Sequence, residues 1–356
     1  MARKSPSRSP EKLYLHPKVH PRDFPVARYP RDFPASRKPR DFPASRKPRD
    51  FPASRYAWVT LVMCGDGYAA GALAVAHSLR MVETRHDLVC MVTPDVTHST
   101  YRHLCVVYDH VIEVQYIQHP CPRLKSEKQQ RMYNDWIESS FTKWNCLKLD
   151  YERVLFIDAD MIVKENSDDL FELQPPASIF AIPNARPWGN LPNVYLTRSG
   201  NPPKHGELIS PDLVKRAVRS YSFVACGAMV LLQPDLKDFN DLCKFIKKDA
   251  VFGDGLKTTS GADEISISLF YANAGVSWTN IHRRYSVIAW KRDWAMPSKP
   301  YILHIFGRPK PWEKGCAWPD PDWWGVVDDL LRLHPDLSKL YPSRPAVTTN
   351  NNMLGY

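Results

Sequence analysis

The chain has 356 residues and no run of about eighteen or more apolar ones, so a membrane-spanning helix is not expected. No apolar stretch follows Met1, where Ala2 to Pro10 is small, polar and basic, and no secretory leader is expected either. Eight cysteines are present (Cys64, Cys90, Cys105, Cys121, Cys146, Cys226, Cys243 and Cys316), but there is no CxxC pair and no compact disulfide framework. Several lie inside apolar runs such as Leu88-Val89-Cys90-Met91, and read as small buried hydrophobes of a reducing compartment. A cytoplasmic protein is the simplest expectation. Beyond residue 56 the chain also lacks net charge. Residues 1–56 hold 15 of the 48 basic and 5 of the 38 acidic residues, which leaves 33 of each in the remainder. The whole formal charge of +10 therefore sits at the N-terminal end, and the high pI says nothing about the body.

What the first 56 residues do contain is a nonapeptide. PRDFPVARY, PRDFPASRK, PRDFPASRK and PRDFPASRY begin at Pro21, Pro30, Pro39 and Pro48. Each unit carries two prolines and almost no aliphatic side chain, too little to offset ordering entropy, so a disordered tail with polyproline II character is expected. Nine residues is short for a solenoid repeat. A basic arm of this kind could hold nucleic acid or an acidic membrane surface. The reading favoured here is a tandem coding repeat that tolerates drift. Three regions follow: a basic proline-rich tail over 1–56, a folded body over 57–341, and a polar tail over 342–356.

Hydrophobic patterning in the body alternates strand and helix. Strands are expected at Ala57 to Met63, Leu88 to Val92, His110 to Tyr116, Val154 to Ile157, Ile179 to Ile182, Phe223 to Leu232 and Tyr301 to Phe306. Helices are expected at Tyr68 to Arg80, Ser99 to Tyr108, from a cap at Ser139 or Ser140 to Leu149, Phe239 to Lys248, Asp263 to Ala274 and Trp323 to Leu333. This order predicts an α/β fold with one mostly parallel sheet flanked by helices. The stretch from about Pro183 to Ser220, rich in Pro, Asn and Arg, reads as an excursion from the sheet.

Asp158-Ala159-Asp160 closes the apolar run Val154-Leu155-Phe156-Ile157. If the pair continues the strand, alternation sets both carboxylates on one side and Ala159 on the other. Hard cations such as Mn²⁺ or Mg²⁺ take such oxygens and use them to hold a nucleotide diphosphate. A solvated turn is the competing reading of an isolated acid pair. His304, on another strand, would share the carboxyl edge of the sheet, where ligands of open α/β folds bind. After it, Gly307 permits close approach of backbone to a phosphate, and Lys310 supplies a point charge.

His304-Ile305-Phe306-Gly307-Arg308-Pro309-Lys310-Pro311-Trp312 resembles the HxxGxxKPW signature of glycosyltransferase family 8, which includes glycogenin and galactinol synthase. Other stretches resemble the same family in order. Leu61, Val62, Met63 and Tyr68 match positions that cradle the uracil and ribose, and Phe141-Thr142-Lys143-Trp144 matches the lysine-bearing helix. Asp158-Ala159-Asp160 matches the DxD motif. Cys226-Gly227-Ala228-Met229 resembles the NSG or NAG strand, and Gly261-Ala262-Asp263-Glu264 resembles GGDQ.

The resemblance implies a GT-A, Rossmann-like fold and transfer of glucose or galactose from UDP-glucose or UDP-galactose with retention. It implies Mn²⁺ or Mg²⁺ on Asp158, Asp160 and His304. Leu61, Val62, Met63, Tyr68, Ala159, Gly307 and Lys310 would bind the nucleotide, Lys143 would contact phosphate or sugar, and Asp263 would orient the donor or stabilise an oxocarbenium-like centre. A plain helix cap is the other reading of Asp263, and Arg131 could reach phosphate, though a solvated arginine is as consistent. Two departures stand out: Ala225 replaces the asparagine before Cys226, and Glu264 replaces glutamine.

Glycogenin-like chains glucosylate a tyrosine upstream of the HxxG motif. Here Ser286 to Pro300 offers only Trp290 and Trp294 as aromatics, so a separate acceptor, whether polyol, glycan or protein, is expected. A homodimer is left open. A non-catalytic nucleotide-sugar scaffold, its basic tail docked on an acidic partner, is the alternative. A two-metal phosphohydrolase would need more ligands than this pattern supplies.

Overall fold

The computed structural model describes residues 55–121, 127–180, 203–219, 225–248, 261–289, 299–314, 316 and 320–344. The nonapeptides up to residue 54, most of the 183–220 excursion, Trp290, Trp294 and the C-terminal residues from 345 lie outside that set, while Tyr56, the last nonapeptide residue, opens the first strand.

The body begins with β1 (Tyr56–Val62), α1 (Ala69–Met81), β2 (Asp87–Val92), α2 (His98–Leu104) and β3 (His110–Glu113). β1, β2 and β3 run parallel. From Ala57 to Val62 every residue is buried, as a parallel strand covered on both faces requires. After α3 (Glu127–Tyr133) and a 3₁₀ segment (Ile137–Lys148), β4 (Arg153–Ile157) enters on the far side of β1, again parallel. The next elements are β5 (Met161–Val163), β6 (Ala177–Ser178), β7 (Leu208–Ile209), α4 (Pro211–Arg219), β8 (Met229–Leu232), α5 (Leu236–Ile246) and α6 (Ala262–Asn273). The last are β9 (Trp278–Asn280), β10 (Val287–Ile288), β11 (Ile302–His304) and α7 (Pro321–Leu333).

Among the described residues, eight strands form the main sheet in the order β3-β2-β1-β4-β8-β6-β9-β7. The β4–β8, β6–β8 and β7–β9 pairs are antiparallel. Successive strands from β1 build outward one way, whereas β4 is added on the other side of β1. The crevice beyond the carboxyl ends of β1 and β4 is therefore a topological switch point, where this architecture places ligands.

The mostly parallel central sheet is as expected, and a small second sheet accompanies it. β10, β11 and β5 form a second sheet, in which β11 is antiparallel to β5. The chain reverses at Asp158 to Asp160 and departs as β5, and that turn carries the acid pair from one sheet to the other. Other bounds shift as well. Ser139 and Ser140 are not a helix cap: both are buried within the 3₁₀ segment, where the Ser140 hydroxyl donates to Ile137 O at 2.7 Å. The third strand stops at Glu113, the strand expected from Ile179 lies earlier at Ala177, and the one expected from Phe223 begins only at Met229.

α1 is buried from Ala69 to Leu79 because its alanines and Gly71 present almost no bulk. Tyr108 and Tyr341 donate to the Ala72 and Ala70 carbonyls, at 2.6 and 3.0 Å, and pin the helix from both sides. Far from the crevice, buried Asp168 accepts from Thr84 Oγ1 at 2.6 Å, Arg85 N at 3.0 Å and Trp58 Nε1 at 3.3 Å. Asp168→Ala strips those donors of their shared acceptor, and should cost roughly 2–4 kcal/mol in denaturant unfolding. Activity at low temperature should persist; an unchanged midpoint would mean that the network contributes nothing.

Candidate functional site

Asp158 and Asp160 occupy the turn between β4 and β5 rather than the strand itself, so strand alternation is not what aligns them. The Asp158 N–H donates to Ala228 O at 2.9 Å, and Ile305 N donates to Asp160 O at 2.8 Å, so backbone from β8's approach and from just beyond β11 holds both ends of the turn. The result brings Asp158, Asp160 and His304 together, one ligand atom of each lying within 4.8 Å of the others. Asp160 Oδ1 is buried without a hydrogen-bond partner, and His304 Nε2 stands 3.4 Å away. An orphaned carboxylate oxygen in a set of two carboxylates and an imidazole is the donor chemistry of a divalent cation, so the residues present fit one.

Charge supports the same reading. Lys310, buried, is ion-paired with Asp160 and donates to Ile305 O at 2.7 Å. Buried Lys143 reaches Asp263 Oδ2 at 2.8 Å, Gly227 O at 3.3 Å and Asp158 Oδ1 at 3.5 Å. Burial pushes the Asp160 carboxyl up, but the Lys310 ammonium and the His304 ring outweigh it and hold the group well below the usual carboxylate range. Burial likewise raises Asp158, and there Lys143 does not fully offset it. Burial disfavours charge on both lysines, yet Asp158 and Asp263 keep Lys143 protonated, and Asp160 does so for Lys310. Four acids, Asp158, Asp160, Asp263 and Glu264, thus surround two ammonium groups, an excess of acid that suits a dication.

Beside this cluster, the turn after β1 carries Cys64 at φ 58° and Gly65 at φ 77°, two successive left-handed residues. Cys64 N donates to Tyr116 Oη at 2.9 Å and Gly65 N to Asp95 Oδ2 at 2.8 Å, while Tyr116 Oη donates to Asp95 Oδ1, also at 2.9 Å. Trp312 Nε1 donates to Gly67 O at 2.8 Å, and the Trp312 ring meets Tyr68 edge-on at 5.7 Å. Arg308 stands over the Tyr68 ring, 5.9 Å from its centroid. The loop after β1 and the segment after β11 therefore meet at Tyr68.

The structure thus brings Asp158, Ala159, Asp160, His304, Lys310, Lys143 and Asp263 into one connected cluster, with Tyr68 beside it. Leu61 and Val62 end β1 at the same edge, both buried, and Met63 begins the turn that follows. Gly307 takes φ 95°, a conformation that favours glycine. Arg131 is exposed on α3. Three residues were missed, and Glu264, noted only as a departure from glutamine, had no role assigned. Asp95 and Tyr116 hold the turn after β1 through backbone donors, which no sequence pattern announces. Glu264 turns toward backbone rather than solvent. Gly71 did carry a signal, being a glycine inside an alanine helix: an added Cβ there would lie 2.2 Å from Ala159 O and 2.5 Å from Trp312 Cη2.

Residues 60–201 match the family model described as glycosyl transferase family 8, which bears out the resemblance read from the sequence. An uncharacterized protein of Acanthamoeba polyphaga mimivirus is 27% identical over 268 residues, covering 73% of this chain and 83% of that protein. A glycogenin of Neurospora crassa is 26% identical over 289 residues, or 76% of this chain. Glycogenin-1 of Oryctolagus cuniculus is 35% identical over 117 residues, or 33% of this chain. The chain spans about a third of the length of either glycogenin, 35% and 34%. Among solved structures, a galactosyltransferase, LgtC, in complex with donor and acceptor sugar analogs aligns with a TM-score of 0.53 at 13% identity, over 80% of this chain and 99% of that one. The fold is of the GT-A type, with a mostly parallel mixed sheet between helices.

Proposed function

We propose that this chain, a glycosyltransferase of family 8, transfers glucose or galactose from UDP-glucose or UDP-galactose to a separate acceptor. The observation that carries the reading is the convergence of Asp158, Asp160 and His304, with one carboxylate oxygen unsatisfied, at the switch point beside β1. Mn²⁺ or Mg²⁺ held by those three residues would supply Lewis-acid neutralisation of the charge that builds on the departing diphosphate.

The chain's own groups do the rest. Lys310, already protonated and buried, places a second positive charge at the same edge, where a phosphate oxygen can accept from it. Gly307 lets the backbone come close to that phosphate. Leu61, Val62, Met63 and Tyr68 form the wall for uracil and ribose. Asp263 holds its carboxylate on the sugar side, tied through Lys143 to Asp158, so the groups that meet sugar and diphosphate share one lysine. Retention of anomeric configuration is the outcome the family resemblance implies.

Incubation of the purified protein with UDP-glucose or UDP-galactose and Mn²⁺ should release UDP, and a chelator should abolish the release. UDP binding without turnover of either sugar, under every metal condition, would replace this reading with a nucleotide-sugar-binding scaffold.

A further inference from the structure

Glu264, the third residue of α6, turns its side chain back over the helix start. Its Oε2 accepts from Gly261 N at 3.0 Å, and its Oε1 accepts from Gly227 N at 2.8 Å in the segment leading to β8. One turn later, the Ser268 hydroxyl accepts from Ala225 N at 3.0 Å and donates to Glu264 O at 2.6 Å. The Ala225 to Gly227 segment is therefore laid along the first two turns of α6 by two side chains of that helix.

Gly227 is the junction. Its N–H goes to Glu264, its carbonyl takes Lys143 Nζ at 3.3 Å, and a Cβ on it would lie 2.8 Å from Glu264 Cγ and 3.0 Å from Asp263 Oδ2. We propose that Glu264 is a positioning residue for hexosyl transfer, its two carboxylate oxygens clamping Gly227 and Gly261 so that Lys143 and Asp263 are held in place for the donor sugar. The role rests on the transferase reading above.

The chemistry requires a carboxylate. Both partners are N–H donors, and a carboxylate has an acceptor oxygen for each. A carboxamide has one, and would turn its NH₂ against the other donor, leaving a buried amide unpaired. In the GGDQ motif that Gly261 to Glu264 resembles, the residue is glutamine, yet restoring it in this chain should impair the site. Ala225 joins the same arrangement through its backbone N–H, which donates to Ser268 and which an asparagine there would equally supply. Among the described residues, Asp263, Lys143, Cys226 and Tyr133 are titratable groups within electrostatic reach of Glu264. Burial and then Asp263 push its carboxyl up to about 7, against the pull of the two amides and of Lys143.

E264Q and E264A in the full chain provide the test, with UDP release from UDP-glucose and UDP-galactose, calorimetric UDP binding with Mn²⁺, and spectra of ¹⁵N-glycine-labelled protein as readouts. E264Q should keep UDP affinity within about threefold, lower kcat at least tenfold, and displace two glycine amide resonances. Those two should move together with a midpoint near pH 7 in the wild type and not in E264Q. E264A should lower kcat further. Wild-type kcat in E264Q, or two unmoved glycine resonances, overturns the proposal. Should the wild type itself turn over no UDP-sugar, the transferase reading fails, whereas the glycine amides still decide whether the clamp exists.

Discussion

Asp160→Asn should reduce UDP-sugar turnover by about three orders of magnitude and also destabilise the fold. On the proposed function, loss of a carboxylate that would hold the charge-neutralising cation removes several kcal/mol of transition-state stabilisation, and each 1.36 kcal/mol is tenfold in rate. The stability cost has a separate source. Lys310 is buried and ion-paired with Asp160, and removing one partner of such a pair costs roughly 3–5 kcal/mol because the other charge stays uncompensated. The two effects separate in a double variant: Asp160→Asn with Lys310→Met should recover most of the unfolding midpoint and none of the activity. Recovery of turnover in the double variant would show that Asp160 serves only to pair with Lys310. Because the Asp160 carboxyl is held below its ordinary range when folded, its stabilising contribution is complete above its unfolded value near pH 4 and is lost only as pH falls further. Between pH 6 and 8 the pair stays charged, and any change in rate there has another origin. Glu264, whose carboxyl burial and Asp263 push up to about 7, lies in that window.

Much of this site was legible because its chemistry lies in local text. Asp158-Ala159-Asp160 ends an apolar run, and His304 with Gly307 and Lys310 lies within one short segment, so residue type and spacing marked them. The parallel half of the sheet was legible for a similar reason: the runs at Ala57 and Val154 are buried on both faces and read as continuous hydrophobicity. The second sheet was not. β5, β10 and β11 have two or three residues each, too few to show a period, and they exist because the Asp158 to Asp160 turn redirects the chain onto β11. Ser139 and Ser140 misled because a capping residue is recognised by its place before a helix, whereas tertiary burial drew both into a 3₁₀ segment. Glu264 stood out only as a replacement of glutamine, because sequence shows the side chain but not the two backbone amides that turn it inward.

Among the described glycines, Gly71→Ala should be the most damaging added methyl group, although helix propensity predicts the reverse. Alanine inside a helix is favoured over glycine by about 1 kcal/mol. At Gly71, however, the new Cβ would sit 2.2 Å from Ala159 O, a backbone atom that no rotamer change can move, and 2.5 Å from the Trp312 ring. Ordinary contact needs roughly an ångström more, so α1 must retreat from the turn that carries Asp158 and Asp160, or the turn from α1. Either movement also disturbs Trp312, whose indole N–H is bonded to Gly67 O in the loop after β1. A shift of about 1 Å in positioned groups can cost on the order of a hundredfold in rate, and overpacking costs about 1–3 kcal/mol or more. Gly71→Ala should therefore lower turnover about a hundredfold, weaken UDP binding with Mn²⁺, and lower the unfolding midpoint. Gly325 supplies the internal contrast. It lies exposed in α7 with nothing within 4 Å of an added Cβ, so Gly325→Ala should stabilise by about 0.5–1 kcal/mol and leave turnover unchanged. Equal stabilisation by both substitutions would mean that α1 has slack against the acid turn, and the close approach of that helix would then have no part in aligning Asp158 and Asp160.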